Sequence, residues 1–112
     1  MAAKDRPNIV VILTDEERER VWFAEHVRLP HRERLATQGM RFANHHVHTL
    51  PCTPSRATIL TGRHAASTGM FDNTNFKWQA PLAPTIPTLG TMLSAAGYRC
   101  LHRENAQVPL TM

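Results

Sequence analysis

One uninterrupted apolar run near the start of the chain constrains the fold most. Residues 9–13 read Ile-Val-Val-Ile-Leu, and the polar residues Thr14 and Asp15 follow directly. A continuous run of this β-branched composition predicts a strand over residues 8–14 that is buried on both faces, the kind found in parallel sheets. We therefore expect an α/β fold in which Asp15 lies at the carboxyl edge of the sheet, where such sheets bind ligands.

The rest of the chain continues this pattern of strands and helices, with glycines expected to cap the helices. The further predicted elements are a helix over 30–38 with Gly39 as a left-handed cap, a strand over 40–48, a short helix over 55–61 closed by Gly62, irregular connection over 64–87, a helix over 88–96 capped by Gly97, and a strand from Tyr98. This order indicates a mainly parallel sheet with flanking helices.

Composition and charge exclude several classes of function. The net charge of +4 comes from arginines scattered among acids, which argues against nucleic acid and suits a small anionic substrate. No apolar run approaches the roughly 20 residues that cross a bilayer, and no signal peptide precedes the first strand, so we expect no membrane contact and a cytoplasmic location. Without signs of export, Cys52 and Cys100 do not indicate a disulfide, and Cys100 is interpreted as a small buried residue.

The residues richest in chemistry lie between Cys52 and Arg63. They read Cys-Thr-Pro-Ser-Arg, then three residues, then Leu-Thr-Gly-Arg. Cys52 precedes the predicted helix over 55–61, so we expect several backbone N–H groups and the positive end of the helix dipole to face an anion at its side chain. The pattern predicts an anion site beside the side chain of Cys52.

With these residues the chain resembles the leading portion of the type I sulfatases, in the alkaline-phosphatase-like superfamily. The likeness is carried by C-x-P-S-R-x-x-x-L-T-G-R from Cys52 to Arg63, and by looser flanks at the opening run to Asp15 and at Ala96-Gly-Tyr98. It implies an α/β fold of which this chain holds the amino-terminal part, a mainly parallel sheet with flanking helices that is incomplete.

The resemblance also implies hydrolysis of a small-molecule sulfate ester. A formylglycine-generating enzyme would oxidise Cys52, and the hydrated aldehyde would attack sulfur with the help of a divalent metal, usually Ca²⁺, with Mg²⁺ as the alternative. Arg56 would hold the charge and orientation of this nucleophile. Asp15 and Glu16 occupy the positions of the first metal ligands, and Cys52 would be a further ligand. Glu16 is a departure, because Asp is commonest at that position.

Other interpretations stay open beside this one. Without the Cys52 motif, Asp15 would be a helix cap and Glu16 part of a solvated face. Two rival functions are a phosphonate monoester or phosphodiester hydrolase of the same superfamily, and a non-catalytic anion-binding fragment. The histidines within residues 45–48 alternate between the faces of the predicted strand, so we interpret them as polar strand residues and not as a zinc site.

The resemblance ends near Tyr98. Family members continue to Gly-Lys-Trp-His, which supplies a Lys and a His to the site, whereas residues 99–112 read differently. We assign residues 1–98 to the amino-terminal portion of the catalytic domain and residues 99–112 to a divergent tail, and we expect a truncated, inactive copy. If residues 103–105 are encoded CGG-GAA-AAC, a one-base shift encodes Gly-Lys, so a frameshifted gene end is our hypothesis for the tail. The nucleotide sequence tests it.

Overall fold

Four α-helices and one short 3-10 helix are the regular elements of the computed structural model, which describes residues 6–18 and 20–103. In chain order they are the 3-10 helix Arg20–Trp22, α1 (Pro30–Gln38), α2 (Cys52–Thr61), α3 (Ala65–Thr68) and α4 (Leu89–Ala95). In the described residues none of the helices is long and apolar enough to cross a membrane. The chain divides into a first unit, Met1–Phe42, and a second unit, Ala43–Met112.

The apolar run of the first unit is not paired in a sheet. Residues 9–13 form no strand, and their side chains are between 51% and 80% exposed. The strands predicted over 8–14, over 40–48 and from Tyr98 are all absent from the described part of the chain, so the parallel sheet is not confirmed. The physical reason is that a strand exists only beside a neighbour that takes up its N–H and C=O groups, and no described segment pairs with these residues.

Helix α1 has the predicted span but not the predicted end. Pro30 is its first residue, a position where the missing N–H of proline costs no hydrogen bond. Gly39 follows with φ −126° and ψ −159°, which is extended backbone, so the predicted left-handed cap is wrong. A Cβ on Gly39 would lie 3.2 Å from the carbonyl oxygen of Leu35, so close approach of the backbone accounts for this glycine. On the surface, Arg32 of α1 forms an ion pair with Glu17.

In the second unit, α2 packs against α3 and α4 through a face of small and threonine side chains. The buried residues of α2 are Thr53, Pro54, Ala57 and Thr61, which recur mainly every four positions and so share one side of the helix. The hydroxyl of Thr61 donates to the carbonyl of Ala57 at 2.7 Å, so this buried polar group is satisfied within the helix. Small side chains on this face allow the neighbouring helices to approach closely.

Helix α4 is stabilised at both ends by local hydrogen bonds. Thr88 and Thr91 form a capping box, in which the Thr91 amide donates to the Thr88 hydroxyl at 3.4 Å and the Thr88 amide to the Thr91 hydroxyl at 2.8 Å. At the other end Gly97 has φ 86°, and the amide of Tyr98 donates to the carbonyl of Leu93 at 3.0 Å, the pattern of a Schellman motif. The predicted helix and its Gly97 cap are confirmed.

Helix α2 begins earlier than predicted. It starts at Cys52 and not at residue 55, and it includes Pro54 in its first turn, where proline is tolerated. The region 64–87, predicted as irregular connection, contains the short helix α3. Helix α3 is a single turn, which a short sequence hardly distinguishes from an irregular turn, and the start of α2 differs from the prediction by three residues.

Gly62→Ala is expected to destabilise the chain, whereas Gly90→Ala is expected to stabilise it. Gly62 ends α2 with φ 65°, and an added Cβ would meet nothing within 4 Å, so the penalty is the left-handed backbone alone, about 1–2 kcal/mol. Gly90 lies inside α4, where an added Cβ would be 3.8 Å from the Thr88 hydroxyl oxygen, and alanine gains about 0.5–1 kcal/mol there. Urea unfolding of the full chain measures both variants. Changes of the same sign would contradict this account.

Candidate active site

Cys52, the predicted nucleophile precursor, is the first residue of α2 and is half-buried. The sequence placed it just before a helix, and the structure places it within the first turn. Cys52 and Cys100 are both free thiols. The thiol of Cys52 therefore lies at the start of a helix, where the dipole is positive and stabilises negative charge.

The start of α2 has fewer backbone donors than most helices. The first four N–H groups of a helix have no partner within it. Pro51 and Pro54 have no N–H, and the N–H of Thr53 donates to Oδ1 of Asn73 at 3.0 Å. Of these four positions, Cys52 alone has an amide that is neither removed by a proline nor taken by Asn73. The expected group of several N–H donors around an anion is therefore wrong.

Arg56 lies one turn after Cys52, on the same side of α2. Residues four apart on a helix are neighbours, with Cβ atoms about 5–6 Å apart, and helical side chains point back toward the amino terminus. Arg56 is half-buried. A guanidinium in this position attracts and orients an anionic group through charge-assisted hydrogen bonds. The structure thus brings two of the predicted site residues together.

Residues 69–80, named here the clamp loop, contact the start of α2. Asn73 of this loop accepts the hydrogen bond from the amide of Thr53, and its own amide donates to Oδ1 of Asp72 at 2.8 Å. Asn73 is not among the predicted site residues, because it lies in the region 64–87, which is predicted as irregular connection. Its signal was the cluster of Asx side chains in residues 72–75, whose short polar groups often accept backbone hydrogen bonds.

Gln79 holds the clamp loop together from the inside. Its side chain is only 9% exposed. The Oε1 atom accepts from the amides of Phe71 and Asp72, each at 2.9 Å, and Nε2 donates to the carbonyls of Gly69 and Ala80 at 3.0 and 2.7 Å. Both ends of the buried amide are therefore satisfied, which makes the loop a fixed support and not a loose connection.

Two histidines of the second unit contact each other. Nδ1 of His64 and Nε2 of His48 lie 2.9 Å apart, so one ring donates and the other accepts, according to the tautomer. The rings meet edge to face with centroids 4.0 Å apart. Among residues 6–18 and 20–103, no three or more His, Cys, Asp or Glu side chains form a group that could hold a metal ion.

Asp15 and Glu16, the predicted metal ligands, lie exposed in a bend after the apolar run. Glu16 has φ 49°, a left-handed conformation that is uncommon for a residue with a Cβ and that turns the chain directly after Asp15. Their oxygens suit Ca²⁺ or Mg²⁺, although Ca²⁺ takes about six to eight ligands. Asp15 and Glu16 belong to the first unit and Cys52 to the second, so the metal site that joins them stays a prediction.

Comparison with known proteins identifies the family of the chain. The family model described as Sulfatase matches residues 7–109. Arylsulfatase G of Rattus norvegicus is 36% identical over 97 residues, which cover 83% of this chain and 18% of that protein. The ulvan-active sulfatase of Formosa agariphila is 44% identical over 71 residues, which cover 61% of this chain and 14% of that protein. The Delta 4,5-hexuronate-2-O-sulfatase of Bacteroides thetaiotaomicron is 31% identical over 104 residues, which cover 89% of this chain and 21% of that protein.

No solved structure matches the chain. The chain spans between 14% and 21% of the length of these three relatives. The family model nevertheless covers nearly all of it, including the bend at Asp15 and Glu16, helix α2 and the clamp loop. The chain belongs to the sulfatase family.

Proposed function

We propose that the chain carries the nucleophile segment of a sulfuric ester hydrolase, in which a formylglycine-generating enzyme oxidises Cys52 to formylglycine. The observation that carries this proposal is the position of Cys52 in the first turn of α2 with Arg56 one turn later. The start of α2 then brings together the nucleophile precursor Cys52, the permanent positive charge of Arg56 and the positive end of the helix dipole. Membership of the sulfatase family supports the same class of reaction.

Besides the predicted role of holding the charge and orientation of the nucleophile, Arg56 is proposed to bind the sulfate group of the substrate. Its guanidinium is always charged and presents a planar fork of donors that matches two oxygens of a tetrahedral anion. Hydrogen bonds to charged groups contribute about 1.5–3 kcal/mol, whereas a helix terminus contributes about 0.3–1 kcal/mol. Because the start of α2 offers so few backbone donors, Arg56 supplies the larger share of anion binding by this segment.

Asp15 and Glu16 are the residues that would hold the divalent metal that sulfatases generally use. We propose Ca²⁺, with Mg²⁺ as the alternative, because carboxylate oxygens are the ligands that these hard cations prefer. When bound, the metal would supply positive charge that polarises the sulfate oxygens. The two carboxylates follow the apolar run in the sequence, and Glu16, with φ 49°, turns the chain there.

A sulfate ester is favoured over the two rival functions. The relatives reported above are all named as sulfatases, which supports a sulfate ester over a phosphonate or a phosphodiester. Helix starts that only bind anions rely on several backbone N–H groups. At the start of α2, Pro51 and Pro54 have no N–H, and the N–H of Thr53 donates to Asn73. The amide of Cys52 is then the one first-turn donor left for an anion, so the non-catalytic anion-binding function is the less supported of the two alternatives.

The full chain, coexpressed with a formylglycine-generating enzyme, is expected to carry an aldehyde at Cys52 and a thiol at Cys100. The sequence Cys-x-Pro-x-Arg surrounds only Cys52, so Cys100 is an internal control in the same molecule. Peptide mass spectrometry after labelling with an aminooxy probe measures both positions. A Cys52 that stays a thiol, or equal labelling of Cys100, would sink the proposed modification.

Activity is tested in a chimera in which this chain replaces the segment of rat arylsulfatase G that it matches. The modified chimera is expected to have a higher kcat/KM for an aryl sulfate than for an aryl phosphodiester. Its Cys52→Ala variant is expected to lose about 10³-fold or more in kcat, since removing a nucleophile costs at least that much in related cases. The opposite substrate preference would support the phosphodiesterase function instead.

Arg56→Ala is expected to weaken the binding of inorganic sulfate to the full chain by about 10–100-fold. This range corresponds to the loss of charge-assisted hydrogen bonds worth about 1.5–3 kcal/mol. Arg99→Ala removes an exposed positive charge from the same unit and is the matched control, with an expected change below about twofold. A sulfate titration followed by the amide signals of α2, at constant ionic strength, measures both. Equal weakening in the two variants would assign the effect to net charge.

A further inference from the structure

The first turn of α2 depends on a side chain that lies far along the sequence. In most helices the N-cap residue itself supplies the acceptor for an amide of the first turn. Pro51 occupies this position in α2 and makes no side-chain cap hydrogen bond. Asn73 supplies the acceptor instead, from 20 residues beyond Thr53, with Oδ1 at 3.0 Å from the Thr53 nitrogen. The start of α2 is therefore set by tertiary structure and not by the local sequence.

Asn73 is itself held by a chain of hydrogen bonds. Its amide donates to one carboxylate oxygen of Asp72, and the amide of Asp72 donates to the buried Gln79 side chain. The other carboxylate oxygen of Asp72 lies 3.4 Å from the indole Nε1 of Trp78. An acceptor that is fixed in this way loses little conformational freedom when it binds the helix, so it restrains the helix more strongly than a mobile side chain would.

We propose that Asn73 is a positioning residue for the nucleophile, and this inference rests on the proposed function of Cys52. Asn73 fixes the amide of Thr53, and the backbone of Thr53 is joined directly to that of Cys52. Reacting groups must be held within about 0.5 Å of their productive geometry, which is less than the movement of a frayed first turn. Asn73 thus acts on the reaction through Thr53, and Gln79 supports it through the clamp loop.

The inference is tested in the full chain with Asn73→Ala, Asn73→Asp and Asn75→Ala. Asn73→Ala removes the acceptor, and Asn73→Asp keeps an oxygen in its place. Asn75→Ala is the matched control, because Asn75 is an exposed residue of the same type in the same loop. Hydrogen exchange of the Thr53 amide reports the cap, and the alkylation rate of Cys52 reports the nucleophile. Cys100 and the amide of Tyr98 in α4 report whether the rest of the chain is unchanged.

Asn73→Ala is expected to raise exchange at Thr53 by about tenfold and to change Cys52 alkylation at least about threefold, with Cys100 and Tyr98 unchanged. Asn73→Asp is expected to restore both values, and Asn75→Ala to leave both as in the original chain. Any one of three results would overturn the inference. These are an unchanged Thr53 exchange rate in Asn73→Ala, an equal effect of Asn75→Ala, and a Cys52 alkylation rate that Asn73→Asp does not restore.

A second measurement decides the case even if Asn73→Ala fails to fold. In Asn73→Asp the acceptor becomes ionisable, with an ordinary carboxyl pKa of about 3.9. The proton chemical shift of the Thr53 amide is then expected to follow pH through this range, and to change less with pH in the original chain, because the Asn73 side chain is not ionisable. A shift in Asn73→Asp that matches the original chain would overturn the inference.

These measurements use the thiol form of Cys52 and no substrate. Their outcome is therefore independent of whether Cys52 is oxidised and of whether a sulfate ester is hydrolysed. If Asn73 restrains Thr53 and Cys52 but no aldehyde forms, the proposed function fails and the positioning contact stands. If the aldehyde forms and Asn73→Ala changes neither readout, the positioning role fails and the proposed function stands.

Discussion

The buried side-chain amide of Gln79 is the interaction on which the second unit depends most. The buried apolar side chains of the described residues are few, namely Ala57, Ala65, Met70 and Pro54, and the two alanines each bury little apolar area. Gln79 by contrast makes four backbone hydrogen bonds in a nearly closed environment. Hydrogen bonds of this kind contribute about 0.5–1.5 kcal/mol each. The site is therefore supported by polar interactions at least as much as by apolar packing.

The sequence predicted α4 and the end of α2 at Gly62 well, because these helix ends are determined by nearby residues. The capping box of Thr88 and Thr91 and the left-handed Gly97 use only contacts within a few residues, so α4 was predictable from the sequence alone. The strands were not confirmed, because an apolar run such as residues 9–13 becomes a strand only when another segment pairs with it. Membership of the sulfatase family implies an alkaline-phosphatase-like α/β fold, and burying each large side chain of the run in a sheet would contribute about 1.5–3 kcal/mol.

The candidate site divides in the same way between local and distant interactions. Cys52 and Arg56 were predicted from the resemblance that their motif carries, whereas their position one helical turn apart was not, because the helix was predicted to begin at residue 55. Asn73 and the contact of His48 with His64 were not, because each joins residues 16 or more positions apart. No periodicity connects such pairs, and only the folded chain shows which of the turn-forming residues accepts the amide of Thr53.

The composition of the first turn of α2 also indicates how the work of the site is shared. Prolines at 51 and 54 remove two donors and Asn73 occupies a third, so this helix start is poorly suited to bind a sulfate group by its backbone. The same features restrict the backbone beside Cys52, since proline fixes φ and Asn73 fixes the intervening amide. With the proposed roles of Cys52 and Arg56, the turn holds the nucleophile rigidly and the attraction of the anion falls to charged groups such as Arg56. A rigid nucleophile beside side-chain cations is the arrangement that favours a transition state with increasing negative charge.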